Sequence, residues 1–136
     1  HLSEYLPARW RGREWLTGFT GSAGALAMTM DGAAVFVDGR YWAQAETELA
    51  GSGIETVRLA SAAGFPYVDW LVAALPRGAR VAIDGDVVAL ASAAALRDRL
   101  AGAGLAMVTE HDVLEAVWSD RPPLPSAPVS AHGAPY

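Results

Sequence analysis

Short stretches in which apolar and polar residues alternate predict the strands of this protein. Leu26, Met28 and Met30 alternate with smaller side chains, and a period of two is typical of a half-buried strand. Asp31-Gly32 follows this run, and Asp-Gly between two strands is a strong hairpin signal. The predicted strands are Ala25–Met30, Ala33–Val37, Glu55–Leu59, Arg80–Asp84 and Leu105–Thr109.

Longer stretches between these strands have the helical period. Tyr41, Ala45 and Leu49 are four positions apart and predict one apolar stripe along a helix. The predicted helices are Arg9–Leu16, Arg40–Leu49, Pro66–Leu75, Ala89–Leu100 and Asp112–Trp118, the last capped by Asp112. Helices that separate strands predict an α/β fold in layers, and the central hairpin makes its sheet mixed rather than purely parallel.

A glycine-rich segment, Gly18 to Gly24, lies between the first helix and the first strand. Its spacing is GxxGxxG, and Asp38 follows twenty positions after Gly18, as in some dinucleotide sites. A dinucleotide-binding turn, however, opens a helix whose N-terminus holds the phosphates. Because a strand follows Gly24, we interpret the segment as a tight turn and predict no nucleotide site.

Composition limits the number of domains and the class of partner. The chain has 136 residues, a net charge of −5 and no cysteine, and none of its apolar runs is long enough to span a membrane. We therefore expect no nucleic-acid partner, no membrane span and no thiolate chemistry. Five prolines follow Ser119. They predict a folded domain over 1–119 and a proline-rich linker over 120–136, with the boundary near Asp120.

The residue types that carry catalysis or bind metals are present, but in unsuitable arrangements. The histidines are His1, His111 and His132, which lack the spacing of a helical metal-ligand pair. Ser22 lies outside a GxSxG motif. The aspartates at Asp31, Asp38, Asp84 and Asp86 are typical of turns. We predict no catalytic residue and no metal site in this segment.

Four motifs together resemble one protein family. They are HLSEY at the start, WLTGFTGSAG from Trp15, VDGRYWAQAE from Val37 and WSDRPPLP from Trp118. In this order the motifs resemble the N-terminal, non-catalytic, creatinase/prolidase-type domain of Xaa-Pro aminopeptidases. The match is to the larger variety, in which two such domains precede the catalytic one.

The resemblance implies a fold and a function. The fold is a six-stranded mixed sheet with helices on both faces, whose opening helix and first strand would lie before His1. The parent would be a cytoplasmic metallopeptidase that removes a residue preceding proline. Its two divalent metals, usually manganese, would lie on a catalytic domain absent from this segment. The implied partners are the downstream domains of the same chain and further copies in a homo-oligomer.

Two other parents stay open. Domains of this kind also occur as protein-binding modules in catalytically inactive relatives, because a fold does not fix a function. A creatinase or prolidase parent is the other alternative, and the DRPPLP linker disfavours it.

The aromatic and arginine group Phe19, Arg40, Tyr41 and Trp42 allows two interpretations. One is core packing with an arginine in the first turn of a helix. The other is an interface, because Arg, Tyr and Trp are enriched at binding hot spots. In the resembling family, one subunit's N-terminal domain can border its neighbour's active-site mouth. We therefore name these four residues as candidate substrate-access or interface residues.

Overall fold

The computed structural model describes residues 5–61 and 64–128, in which helices and strands alternate. A short 3-10 helix, Ala8–Trp10, precedes the first α-helix. The α-helices are α1 (Gly12–Thr17), α2 (Trp42–Glu48), α3 (Pro66–Ala74) and α4 (Leu90–Gly102). The strands are β1 (Ala25–Met28), β2 (Ala33–Asp38), β3 (Glu55–Leu59), β4 (Arg80–Ala82) and β5 (Ala106–Val108).

The strands form two sheets. β2 lies at the centre of the larger sheet, where it pairs antiparallel with β1 and parallel with β3. This confirms the predicted hairpin, and Thr29 closes its turn by donating its N–H to the carbonyl oxygen of Gly32 at 2.8 Å. β4 and β5 form a separate parallel pair. The described residues therefore form a mixed α/β fold with five strands in sheets of three and two, where the resemblance implies one sheet of six.

Both faces of β2 are covered by helices because its side chains alternate. Ala34 and Phe36 face a core cluster that α3 and α4 complete with Val68, Leu71, Leu96 and Leu100. Val35 and Val37 face a second cluster, which holds Phe19, Ala45 of α2, and Leu49, the residue directly after α2. A central strand buried on both faces explains why almost every side chain of β2 is apolar.

The prediction of a helix over Asp112–Trp118 is wrong. The segment forms consecutive turns, in which Glu115 and Val117 donate their N–H groups three residues back instead of four. Only Trp118 makes a helical bond, to Leu114 at 2.9 Å. The predicted capping by Asp112 takes the form of a turn, with Oδ1 accepting the N–H of Leu114 at 3.0 Å. β-Branched residues and tertiary contacts override the helical pattern here.

The two ends of the described chain are fastened together. The rings of Trp15 and Trp118 stack with centroids 4.9 Å apart. Arg121, whose side chain is only 6% exposed, pairs with Asp112 and donates to the carbonyl oxygen of Arg9 at 3.0 Å. The boundary near Asp120 stays a prediction, because Arg121 still contacts the folded body and residues 129–136 lie outside the described part of the chain.

Candidate functional site

The glycine-rich segment is a tight turn that begins where α1 ends. Gly18 adopts φ 75°, a left-handed conformation that favours glycine, and its N–H bonds to the carbonyl oxygen of Glu14 at 2.7 Å. The chain then leads through Gly24 directly into β1, as predicted. Because no helix begins at this turn, its N–H groups form no helical phosphate site.

Arg13 anchors the turn from beneath. Its Nη1 donates to the carbonyl oxygen of Gly24 at 2.6 Å, and its Nη2 donates to that of Gly21. The guanidinium also lies 5.1 Å from the centroid of the Phe19 ring. Burial lowers the pKa of Arg13, although the carboxylate of Glu14 opposes this shift. The sequence analysis missed this role, and the available signal was a cation in the helix just before a turn whose carbonyl groups need donors.

Gly21 is required by close packing rather than by its own backbone angles. A Cβ atom at this position would overlap the ring of Phe19 and come within 2.8 Å of Cδ1 of Tyr41. These two rings meet edge to face, with centroids 6.1 Å apart. The missing side chain therefore lets the turn lie directly on the two aromatic rings.

A group of hydrogen bonds around the carboxylate of Glu48, which we call the Glu48 clasp, joins the turn to α2. Thr20 donates its N–H to Oε2 of Glu48 at 2.9 Å and its hydroxyl to Oε1 at 2.7 Å. Gln44 donates to both Thr20 and Glu48. The Thr20 N–H, followed by the two side-chain donors, lowers the pKa of Glu48, so the clasp favours the carboxylate form.

Asp38 and Arg40 form a forked ion pair at the end of β2. Nε of Arg40 lies 3.0 Å from Oδ1 of Asp38, and Nη2 lies 2.8 Å from Oδ2. The backbone N–H of Arg40 also donates to Oδ1 at 3.1 Å, which confirms the predicted turn role of Asp38. The Arg40 side chain, through its hydrogen bonds, is the main cause that lowers the pKa of Asp38. This turn corrects the predicted start of the helix, because α2 begins at Trp42 rather than at Arg40.

Arg40, Tyr41 and Trp42 form one partly exposed surface, which we call the Arg40 surface. The guanidinium of Arg40 lies 5.3 Å from the centroid of the Tyr41 ring, and the Tyr41 hydroxyl is 2.6 Å from Oγ of Ser22. Nε1 of Trp42 donates to the carbonyl oxygen of Val37 at 3.0 Å. Each aromatic ring is thus held by a hydrogen bond from its polar end, which restricts its orientation.

The structure separates the four candidate residues by depth. Phe19 is 0% exposed and belongs to the core cluster beneath α2. The side chain of Arg40 is 67% exposed, while Tyr41 and Trp42 are half-buried. Phe19 therefore supports the Arg40 surface from below and is not part of the surface itself.

A small cleft adjoins the Arg40 surface. Its volume is about 200 Å³, and Asp38, Arg40, Leu59 and Tyr67 are among the residues that line it. The cleft lies where β2 and β3 end and α3 begins. It places one ion pair and one phenol beside apolar side chains.

The described residues contain no group of three or more His, Asp or Glu side chains that could hold a metal ion. Ser22 shares its hydroxyl hydrogen bond with Tyr41, and Asp84 accepts the N–H of Asp86 at 3.0 Å in a turn. His1 and His132 lie outside the described residues. No helix among the described residues has the length and apolar character to cross a bilayer.

Comparison with known proteins identifies close relatives of this sequence. Residues 9–117 match the family model of the Creatinase/Prolidase N-terminal domain. Human Xaa-Pro aminopeptidase 2 is 35% identical over 133 residues, which cover 96% of this chain and 19% of the human protein. Aminopeptidase P2 of Arabidopsis thaliana is 34% identical over 140 residues, which cover 100% of this chain and 19% of that protein.

A solved structure shows the same fold. X-prolyl aminopeptidase from Caenorhabditis elegans, a cytosolic enzyme with a di-nuclear active site, superimposes with a TM-score of 0.79 at 31% identity. The match covers 90% of this chain and 20% of the nematode chain. This chain thus spans about a fifth of the relatives that it matches.

Proposed function

Because the chain belongs to the Creatinase/Prolidase N-terminal domain family, we propose that it is the non-catalytic first domain of a longer Xaa-Pro aminopeptidase. The observation that carries this proposal is the coverage of the human relative, which matches 96% of this chain with only 19% of its own length. The parent removes an N-terminal residue that precedes proline. Its cleavage chemistry lies in the part of the polypeptide that this chain does not include.

The proposed catalytic apparatus is a pair of divalent metal ions, manganese in the expected case, on a downstream domain. A metal-bound water supplies the nucleophile for peptide hydrolysis in such a centre. Three of the described carboxylates fit this division of labour, because Asp84 bonds within a turn, Asp38 is in an ion pair and Glu48 is in the clasp. This chain contributes shape, and the parent acts in the cytoplasm.

The Arg40 surface is the proposed contact of this domain with substrate or with another subunit of a homo-oligomer. It combines an exposed guanidinium with two aromatic rings that are already fixed in place, and such preorganised Arg, Tyr and Trp side chains lose little entropy on binding. The adjoining cleft offers room for an apolar side chain beside the Asp38–Arg40 pair.

The sequence downstream of residue 136 gives the first test. The proposal requires Asp, Glu and His metal-ligand motifs in that part of the open reading frame. Replacement of those ligands would instead support a protein-binding module.

Kinetics of the parent enzyme test the role of the surface. Arg40→Ala should raise KM for peptides of eight or more residues while leaving kcat for a tripeptide within twofold, or should shift the oligomeric state in sedimentation. Arg97→Ala is the matched control, since Arg97 is an exposed arginine on α4. If the Arg40 and Arg97 variants behave alike in both assays, the Arg40 surface has no such role.

A further inference from the structure

Three Asp-Gly pairs occur in this chain, and the fold places them in different surroundings. They are Asp31-Gly32, Asp38-Gly39 and Asp84-Gly85. A glycine after an aspartate leaves its backbone nitrogen unobstructed, so that the aspartate side chain can react with it without an enzyme. The sequence contains no asparagine, the other residue type that enters this reaction. The local sequence predicts similar reactivity at the three pairs, so any large difference between them must come from the fold.

The reaction exchanges bonds at the side-chain carbonyl carbon of the aspartate. The backbone nitrogen of the glycine attacks Cγ, a C–N bond forms, and the hydroxyl of the protonated carboxyl group leaves with the amide proton as water. Water then opens the succinimide ring at the former backbone carbonyl, which becomes a free carboxylate. The chain is now linked through the side chain, as isoaspartate. One water leaves and one water adds, so the sum is an isomerisation.

Asp31-Gly32 is the least restrained of the three pairs. Both residues are exposed at the tip of the β1–β2 hairpin, where the neighbouring Met30 is 98% exposed. Within the described ranges, the Asp31 carboxylate has no hydrogen-bond or ion-pair partner, and the N–H of Gly32 has no acceptor. A Cβ atom built on Gly32 would have nothing within 4 Å. Because the side chain can rotate, Cγ can approach the nitrogen to the roughly 3.5 Å that a reacting pair needs.

The forked ion pair restrains Asp38-Gly39. Both carboxylate oxygens of Asp38 accept hydrogen bonds from the side chain of Arg40, and Oδ1 also accepts the backbone N–H of Arg40. These bonds hold the carboxylate in one orientation. The side-chain hydrogen bonds are also the main cause that lowers the pKa of Asp38. The carboxylate therefore gains less readily the proton with which its oxygen would leave as water.

A turn and close packing restrain Asp84-Gly85. Oδ1 of Asp84 accepts the N–H of Asp86 at 3.0 Å, which fixes the side chain toward its own turn. Both residues of the pair are half-buried. A Cβ atom built on Gly85 would lie 2.7 Å from the carbonyl oxygen of Thr109. The backbone rotation that would bring the Gly85 nitrogen toward Cγ is therefore blocked unless Thr109 moves.

We propose that isoaspartate forms spontaneously at Asp31-Gly32 and that the fold suppresses it at the other two pairs. The isomer adds one methylene carbon to the main chain at the hairpin tip and places a new carboxylate there. The bond of 2.8 Å from the N–H of Thr29 to the carbonyl oxygen of Gly32 spans this linkage, so the modified turn no longer fits the hairpin. The new carboxylate is exposed, and it is the group that an isoaspartyl carboxyl methyltransferase modifies.

Ageing of the complete parent protein tests this proposal. After several weeks at neutral pH, isoaspartate is quantified at each pair by enzymatic methylation and by mass-spectrometric fragmentation that resolves the site. The folded protein should contain at least about tenfold more isoaspartate at Asp31 than at Asp38 or Asp84. In denaturant, where the fold no longer restrains them, the three pairs should agree within about threefold. Similar amounts at the three pairs in the folded protein overturn the proposal.

Two variants of the parent separate the causes. Gly32→Ala puts a methyl group beside the attacking nitrogen in otherwise open space, and should lower isoaspartate at Asp31 at least about fivefold. Arg40→Gln should raise isoaspartate at Asp38 at least about threefold and leave Asp31 unchanged, whereas the control Arg97→Gln should change neither. A wild-type amount at Asp31 in Gly32→Ala, or no rise at Asp38 in Arg40→Gln, contradicts the proposal. The assay needs no peptidase activity, so this proposal and the proposed function can fail separately.

Discussion

Arg13 and Gly21 decide the shape of the turn beneath the Arg40 surface. The guanidinium bonds to two carbonyl oxygens of the turn, and the absent side chain of Gly21 lets the backbone lie on Phe19 and Tyr41. Position in the fold, rather than residue type alone, makes these two residues important. A change at either one should act through the packing of the aromatic rings.

Gly21→Ala should destabilise the chain by about 1–3 kcal/mol, because the new methyl group overlaps the two rings and forces them to move. Chemical denaturation monitored by tryptophan fluorescence measures this difference. Gly102→Ala is the control, since nothing lies within 4 Å of a Cβ atom there and alanine favours a helix. If both variants unfold at the wild-type denaturant concentration, the packing of Gly21 is not as described.

Arg13→Gln should destabilise the chain by about 2–3 kcal/mol, because two charge-assisted hydrogen bonds to backbone oxygens are lost. Arg97→Gln, on the exposed side of α4, should change stability by less than about 0.5 kcal/mol. The free energy of unfolding in urea measures both. Equal changes in the free energy of unfolding at the two positions would show that Arg13 does not anchor the turn.

Arg40→Gln should raise the pKa of Asp38 toward the ordinary value of about 3.9. In the wild type the arginine lowers this pKa, so the pair stabilises the fold above the unfolded pKa of Asp38 and loses that contribution as pH falls through the lower folded value. Carboxyl carbon shifts in an NMR titration report the pKa directly. An Asp38 that titrates identically in both proteins is incompatible with the forked pair.

Among the helices and strands, the hydrophobic pattern predicted those whose buried residues recur at regular spacing in the sequence. The α2 stripe is confirmed, because Ala45 and Leu49 are buried and α2 has one face on the sheet. Leu90, the first residue of α4, is 88% exposed although it is apolar. Contacts between distant segments, such as Trp15 with Trp118, leave no periodic signal, and there the prediction failed.

The ion pair between Arg121 and Asp112 should matter more than a surface pair. Arg121→Gln should cost about 3 kcal/mol, because the Arg121 side chain is 6% exposed and its removal leaves Asp112 without its cation. Arg99→Gln breaks the exposed pair with Asp69 and should cost at most about 1 kcal/mol. Thermal unfolding of both variants measures the two costs. Equal shifts in Tm would show that the Arg121–Asp112 pair matters no more than the exposed pair.

For the molecule as a whole, the class of fold followed from alternating patterns, and the family followed from four motifs. The depth of Phe19 did not, because an aromatic residue beside glycines fits either a core or a surface until packing is known. The division into two sheets was equally hidden, since strand length and period do not state which edges meet. Residue patterns show which face of a helix or strand is apolar, whereas the packing of these faces against one another depends on the complete chain.

The central claim is that the complete parent cleaves the peptide bond before proline and that this segment alone does not. The most direct measurement compares the release of the N-terminal residue from an Xaa-Pro peptide by the complete parent and by this chain, at equal concentration with manganese present. Circular dichroism verifies that both are folded. The account predicts turnover by the parent and none by the chain, and it is contradicted if the 136-residue chain itself cleaves the peptide or if the folded, metal-loaded parent does not.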